Sequence, residues 1–454
     1  MSKNTIFDVA IIGSGPAGGV AAQTAASERK KVALIEVDKP GGDTVHYGEV
    51  PLYALSTAAS SYQLAKNTSR YGIRAPSVAY NYVSINKFKD SVIREATGNE
   101  ANPYSSKFIT YFGGKAVFTD KKTLSINGEK LKAHKYLIAT GSSNVIPNIP
   151  GLEDTGFITY KQAGQLSTPP KSIIVIGAGR EGVEYATLFA NFGTKVTIVE
   201  KEDRLLPKED SDIGSLLANI LTGQGIDVRV ACEAVSADTS TRNKKTIGLK
   251  HELGEEHVTA DEIFLATGKI PNIDLNLEAA KIKFDETGIT VNNQLRTTNK
   301  IVFAAGDVTG FSPYAHMAIH QGHVAIHNII QKNKENVSFG AVPRVYSTTP
   351  EIACLGYSEN ELKKTKKQGY KSVKLPISVA TASLISKDEI GFVKIIASPE
   401  GQILGASIVG PRAWDTIQEI AVAMQYHLSV NDIAKTMHAF GSWSDAVRAT
   451  AAQF

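Results

Sequence analysis

Two stretches of the 454-residue chain place glycine and glutamate where they could hold a dinucleotide. The first is DVAIIGSGPAGGVAAQTAASERKKVALIEVD, Asp8 to Asp38; the second is SIIVIGAGREGVEYATLFANFGTKVTIVEKED, Ser172 to Asp203. Each reads as a β-branched run, G-x-G-x-x-G, an alanine-rich stretch of helical length, a second β-branched run and a closing glutamate. Gly13 to Glu36 spans 23 positions, and so does Gly177 to Glu200. Gly13 and Gly177 permit the tight turn off the strand. Gly15 and Gly179 let backbone N–H groups approach a pyrophosphate, and Gly18 and Gly182 let helix and strand pack closely. The positive end of each helix then faces the phosphates, and each glutamate ends a strand where it can accept from ribose hydroxyls. One glycine triplet is a weak signal. Two copies in the same setting, each with its glutamate in register, are a specific one.

These residues need strands and turns to position them, and the sequence supplies candidates. KYLIATG (Lys135–Gly141) and EIFLATGKIPN (Glu262–Asn272) both read as strands ending in Ala-Thr-Gly. NKIVFAAGDV (Asn299–Val308) is a third such strand, with Asp307 at its tip, where a carboxylate can bind a hydroxylated chain or cap the following helix. IPNIPG (Ile146–Gly151) and KIPNID (Lys269–Asp274) read as linkers into and out of the second glycine-rich unit. From about Pro343 the pattern changes to two alternating strands within Gly391–Pro411, then an apolar-periodic helix from Arg412 to His427, as in a separate α+β domain.

Length suits two to four domains, and 42% apolar with 21% charged residues is an ordinary globular balance. A net charge of +4 gives no reason to invoke nucleic acid or a membrane surface, and no apolar run is long enough to span a bilayer. The strand predicted to begin within six residues leaves no room for a leader. Cys232 and Cys354 lack any redox or metal-ligand spacing, which fits two buried thiols in a reducing, cytoplasmic setting.

These motifs, together with KPGGDT, TTPEIACLGYSE, GFVKII, ILGASIVG and MHAFGSWSDAV, resemble the flavoprotein pyridine nucleotide–disulfide oxidoreductases, the group of dihydrolipoamide dehydrogenase, glutathione reductase and mercuric reductase. The resemblance implies an α/β protein with two Rossmann-like domains. An FAD domain (1–149 and 271–339) would be interrupted by an NAD(P) domain (150–270) and followed by an α+β dimerisation domain (340–454), giving a homodimer. By the same resemblance Gly13, Gly15 and Gly18 would hold the FAD pyrophosphate, Glu36 its adenosine ribose and Asp307 its ribityl chain. Gly177, Gly179 and Gly182 would hold the NAD pyrophosphate, Glu184 would approach the nicotinamide, and Glu200 would hold the adenosine ribose. Gly42, Thr140, Gly141, Ala315 and Gly268 complete the expected cofactor-binding set. The Glu200 carboxylate would repel a 2′-phosphate, which favours NADH over NADPH, while Lys201 and Arg204 nearby keep NADPH open.

The chain departs from the family where the chemistry is. The family's T-C-x-N-x-G-C-x-P-S-K becomes KPGGDTVHYGEVPLYAL here, with Thr44 and Glu49 at the two cysteine positions and Tyr53 in place of the flavin-adjacent lysine. The family's H-x-H-P-T-x-S-E becomes His438 to Asp445, with Phe440 at the proton-shuttle histidine. Disulfide exchange requires a thiolate and a disulfide, and neither threonine, glutamate nor phenylalanine serves. Glu49, Thr44 and Tyr53 are the candidate catalytic residues. A partly desolvated Glu49 could act as acid or base, or could merely fill space; His46, Tyr47 and Tyr53 could line the same pocket or be structural. Phe440 and Trp443 would form an aromatic wall from the partner chain. Arg180 stands at the family's gating side chain, where it could block the nicotinamide or attract an anion.

The expected activity is electron transfer from NAD(P)H through FAD to a small non-disulfide acceptor, a quinone, another organic electrophile or oxygen. Two alternatives stay open: flavin-dependent oxidation of a small substrate with Glu49 as base, and a silent FAD- and NAD-binding sensor or scaffold.

Overall fold

The computed structural model describes residues 6–98, 104–240, 244–311, 313–365 and 369–454. They form two compact units, 1–54 with 86–145 and 268–338, and 55–85 with 146–267 and 339–454.

The first unit is built on a seven-stranded sheet. Its parallel part runs Ile109–Gly113, Val32–Glu36, Ile6–Ile12 and Glu129–Ile138, and Val302–Ala304 adds to the last of these. Ile11 sits level with Leu34 on one side and Leu137 on the other, and all three are fully buried. Aliphatic runs of this kind form strands covered on both faces, which is why Val32–Glu36 shows no polar alternation. The first half of Glu129–Ile138 pairs antiparallel with Thr123–Ile126, which pairs in turn with Ala116–Asp120.

Helix Pro16–Ser27 starts with proline at its first position, where φ is pre-set and the missing N–H costs nothing. It packs on helix Ala315–Ile330 through small residues. A Cβ on Gly322 would lie 2.4 Å from the Ala17 carbonyl oxygen, so only glycine permits this approach. The second expected linker is more ordered than its composition suggests, and the strand it pairs with lies just before the first, Ile146–Gly151. Ser142–Asn144 and Lys269–Pro271 pair antiparallel, so the outgoing and returning chains form a two-stranded ribbon.

The second unit contains a four-stranded parallel sheet, Asp227–Arg229, Lys195–Val199, Ser172–Ile176 and Glu262–Leu265, with helix Arg180–Asn191 following the second glycine triplet. Glu233–Thr239, Lys245–His251 and Gly254–Ala260 form a three-stranded antiparallel sheet. Tyr80 and Tyr82 pack on Phe192 at ring separations of 5.1 and 5.3 Å, which ties residues 55–85 to this unit. The C-terminal region forms a five-stranded antiparallel sheet, Arg344–Tyr346, Ile352–Gly356, Ile403–Val409, Phe392–Ala397 and Lys371–Pro376, with helix Ala413–Gln425.

One expectation is corrected here. Phe392–Ala397 and Ile403–Val409 do not alternate between buried and exposed, because both faces are covered. One face meets the C-terminal helices. On Phe392–Ala397, buried Lys394 reaches Asp210 at 2.7 Å and Asp212 at 3.1 Å. A polar residue in the pattern thus marks a buried ion pair, not a solvent face.

Candidate functional site

In the first unit, the turn at Gly13 has φ of +100°, and a Cβ there would meet the Ala139 carbonyl oxygen at 2.2 Å. A Cβ on Gly18 would lie 1.9 Å from the Gly13 oxygen. Gly15, the N-cap of Pro16–Ser27, is different: nothing lies within 4 Å of its would-be Cβ, and no side chain caps the helix. The helix therefore presents bare N–H groups to open space.

Glu36 holds this loop from behind. Its Oε2 accepts from the Ser14 N–H at 2.8 Å and the Ser14 hydroxyl at 2.7 Å, and its Oε1 accepts from the Val37 and Asp38 N–H groups at 2.8 and 3.0 Å. The Gly41 N–H donates to Ser14 Oγ at 3.1 Å, which draws the next loop in until Gly42 packs on Gly15. Tyr104 donates to the Ser14 carbonyl at 2.7 Å. On the far side, the Ser142 hydroxyl donates to Asp307 Oδ2 at 2.6 Å. Thr140 exchanges bonds of 2.7 and 2.9 Å with Asn272, which fixes Gly141 at positive φ. Asp307 opens the short helical turn Asp307–Thr309, and Tyr314, not Asp307, is the N-cap of the helix that begins at Ala315. Gln321, fully buried, accepts from the Gly306 N–H at 2.6 Å, and its Nε2 has no hydrogen-bond partner among the described residues.

The second unit repeats the core of this arrangement. Gly177 has φ of +98°, a Cβ on Gly182 would lie 1.9 Å from the Gly177 oxygen, and Gly179 is again an open, uncapped N-cap. Glu200 Oε2 accepts from the Ala178 N–H at 2.7 Å and its Oε1 from the Glu202 N–H at 2.9 Å. Arg180 begins the helix, half-buried, and Gly268 has φ of +104° in the first unit. Glu184, expected to approach a nicotinamide, is 1% exposed, and its Oε1 accepts from the Ser347 N–H at 2.8 Å.

Around the departure from the family, Thr44 lies in the short helix Gly42–His46 and Glu49 opens the helix Glu49–Lys66. Tyr53 follows Glu49 by one turn on the same face, and all three are half-buried. His46 Nε2 bonds the Pro40 carbonyl at 2.8 Å, closing the loop before the helix. Lys39 lies over the Tyr47 ring at 5.1 Å, and the Tyr47 hydroxyl is pushed up to about 12 by burial and by its bond to Asp38. Both rings hold the loop itself.

The C-terminal positions separate. Phe440 is 88% exposed, whereas Trp443 packs against the buried C-terminal core, so within one chain they do not form a shared wall. His438 has both ring nitrogens engaged, with the Thr436 carbonyl and Glu419, each at 2.9 Å. Asp445 pairs with Arg448 at 2.8 Å. Cys354 is fully buried and Cys232 nearly so, and burial raises both thiols, Cys354 well above the ordinary range.

Both cradles fit a dinucleotide. Each offers an uncapped helix end, a glycine opening onto free space and a loop braced by a buried glutamate. Gln321 Nε2 adds a spare donor beside the first. Sequence reasoning missed Ser14, Tyr104, Ser142, Asn272 and Gln321. Of these, Ser14 was within reach, since it is the one polar residue inside either glycine triplet's first turn. Among the described residues, no helix is long and apolar enough to cross a membrane and no group of three or more potential ligands is placed to hold a metal ion.

Residues 7–325 match the family model described as pyridine nucleotide-disulphide oxidoreductase, and residues 342–451 match that family's dimerisation domain. The chain is 31% identical over 456 residues to a mercuric reductase of Bacillus cereus, covering 98% of this chain and 71% of the relative. It is 32% identical over 445 residues to a dihydrolipoyl dehydrogenase of Geobacillus stearothermophilus, covering 94% of this chain and 92% of the relative. Among solved structures, the Cu(II) complex of the HOCl-induced flavoprotein disulfide reductase RclA from Escherichia coli superposes with a TM-score of 0.89 at 25% identity, covering 99% of this chain and 100% of that one. With its two braced dinucleotide folds and its dimerisation domain, the chain belongs to the pyridine nucleotide-disulphide oxidoreductases, a family of oxidoreductases that bind FAD and a pyridine nucleotide.

Proposed function

We propose that this chain is an NAD(P)H-linked flavoprotein oxidoreductase that delivers electrons from its flavin directly to a small non-disulfide acceptor, as a homodimer. The observation that carries this reading is the set of residues at the family's redox positions. Thr44 and Glu49 replace the two cysteines, Phe440 replaces the shuttle histidine, and the chain's only thiols are buried in a different part of the protein. No residue at these positions can form a mixed disulfide. Two losses far apart in sequence that remove one chemistry point to a changed acceptor.

Bound FAD would supply the two-electron chemistry. Gly13, Gly15, Gly18, Gly42 and the free helix end at Ala315 would seat its phosphates and ring, with Thr140, Gly141 and Asp307 along its chain and Glu36 bracing the loop. Gly177, Gly179, Gly182, Glu200 and Gly268 would serve the pyridine nucleotide, and Glu184 would orient it. NADH is favoured because Glu200 keeps a carboxylate at the ribose end. Glu49 would hold or release the proton that accompanies reduction of the acceptor, with Tyr53 one turn behind it and Thr44 positioning it.

The test is steady-state NADH oxidation by the purified holoprotein with quinones, oxygen, lipoamide and glutathione disulfide. Turnover with a quinone or oxygen and none with either disulfide is expected, and efficient disulfide reduction overturns the reading. Glu49→Gln should lower acceptor turnover by about 10²-fold while leaving flavin reduction by NADH unchanged. Unchanged turnover removes Glu49 from the chemistry.

A further inference from the structure

Four of the chain's ten histidines fall in the single helix Ala315–Ile330, at His316, His320, His323 and His327. Their spacing of four, three and four residues is that of one helix face, and at about 100° per residue they fall within an arc of about 60°. Met317, Ala318, Gln321, Gly322, Val324 and Ala325 are buried, and Gly322 is the residue pressed against Ala17 of the neighbouring helix. The histidine face therefore points away from the core, and His316, His320 and His323 are exposed. A core role does not explain them, and none lies among the proposed cofactor-binding residues.

Not all four are equally available. His327 Nε2 bonds the Asn333 carbonyl at 2.9 Å and lies 3.5 Å from Glu335. The His316 ring stacks on Tyr314 at 5.3 Å. His320 and His323 are left as the neighbouring pair. Both rings are exposed, and a neutral imidazole offers a nitrogen lone pair to a metal.

We propose that His320 and His323 form a two-imidazole chelate for a divalent late first-row transition ion on the outer face of this helix. Residues three apart on a helix have Cβ atoms about 5–6 Å apart, and imidazole nitrogens bind such ions at about 2.0–2.1 Å, so two rings on one face can converge on one ion. Imidazole donors suit copper, nickel and zinc, and affinity should peak at Cu²⁺. Because no group of three or more ligands is assembled among the described residues, water completes the coordination shell. The ion is therefore exchangeable, unlike a closed structural centre.

The test uses untagged, FAD-loaded full-length protein titrated with Cu²⁺, read by calorimetry and by the nitrogen hyperfine pattern in electron paramagnetic resonance. One ion per chain with nitrogen coupling is expected. His320→Asn with His323→Asn should weaken binding by about tenfold or more and remove the coupling. The flavin content and the rate of flavin reduction by NADH should not change, which separates this site from the proposed activity and shows that the variant folds. His327→Asn should alter binding by less than about twofold. Native-like Cu²⁺ affinity in the double variant, or no stoichiometric binding by the native protein, overturns the proposal.

Discussion

The two dinucleotide folds share a backbone and differ in what surrounds it. Each has a glycine turn at positive φ, an open N-cap glycine and a glutamate that accepts from the residue after the first glycine. In the first fold that residue is Ser14, whose hydroxyl joins Glu36 to the Gly41–Gly42 loop and so fastens a second wall against Gly15. Tyr104 backs the same turn, and helix Ala315–Ile330 packs against the motif helix. In the second fold the equivalent residue is Ala178, which has no hydroxyl, and Glu200 holds two backbone bonds where Glu36 holds three and a hydroxyl. A walled cradle suits a resident cofactor and a plainer one suits a nucleotide that must leave after each turnover. Under the proposed function, one repeated motif would serve two residence times through its neighbours.

The two folds should diverge most at the open glycines. A Cβ added at Gly15 or Gly179 would meet nothing within 4 Å, so valine at either should fold and fill the space proposed for phosphate. Gly15→Val should yield protein without flavin. Gly179→Val should stay flavin-loaded and lose about 10²-fold or more in affinity for NADH, measured by flavin reduction at increasing NADH. If both variants lose flavin equally, the two folds are not specialised as described. A smaller effect is expected at Ser14→Ala, which removes the hydroxyl between Glu36 and Gly41. Loss of a charge-assisted hydrogen bond of about 1.5 kcal/mol should weaken FAD retention by roughly tenfold, measured by fluorescence of released flavin. Ala178→Ser should change NADH affinity by less than about twofold, because the second fold has no matching loop to fasten. Smallest of all should be the response to iodoacetamide. Burial holds both thiols protonated, so alkylation of the native holoprotein should leave Cys232 and Cys354 intact and turnover unchanged, as mass spectrometry and rate assays would show.

Most of the fold was legible because it rests on local patterns. The glycine triplets require one backbone geometry, and the aliphatic runs between them form strands whatever the distant contacts. The strand pattern of Phe392–Ala397 misled because Lys394 has carboxylate partners, buried Asp210 and half-buried Asp212, more than 180 positions away in sequence, and no local signal names them. The linker Lys269–Pro271 read as irregular because its pairing partner is 125 or more residues distant. At the site, glycines and glutamates were visible through spacing. Ser142 on Asp307 and Asn272 on Thr140 were not, since they depend on strands brought together only by folding. Glu49 and Thr44 stood out through a departure from a known pattern, and their chemistry cannot be read from spacing at all.

Under the proposed function the flavin is this protein's only redox centre, and the decisive experiment is anaerobic titration of the oxidised holoprotein with NADH. Complete bleaching of the flavin band by one NADH per flavin, two electrons in all, is expected, with no thiolate charge-transfer absorption on the way. A second equivalent consumed before reduction is complete would reveal another two-electron centre and contradict it.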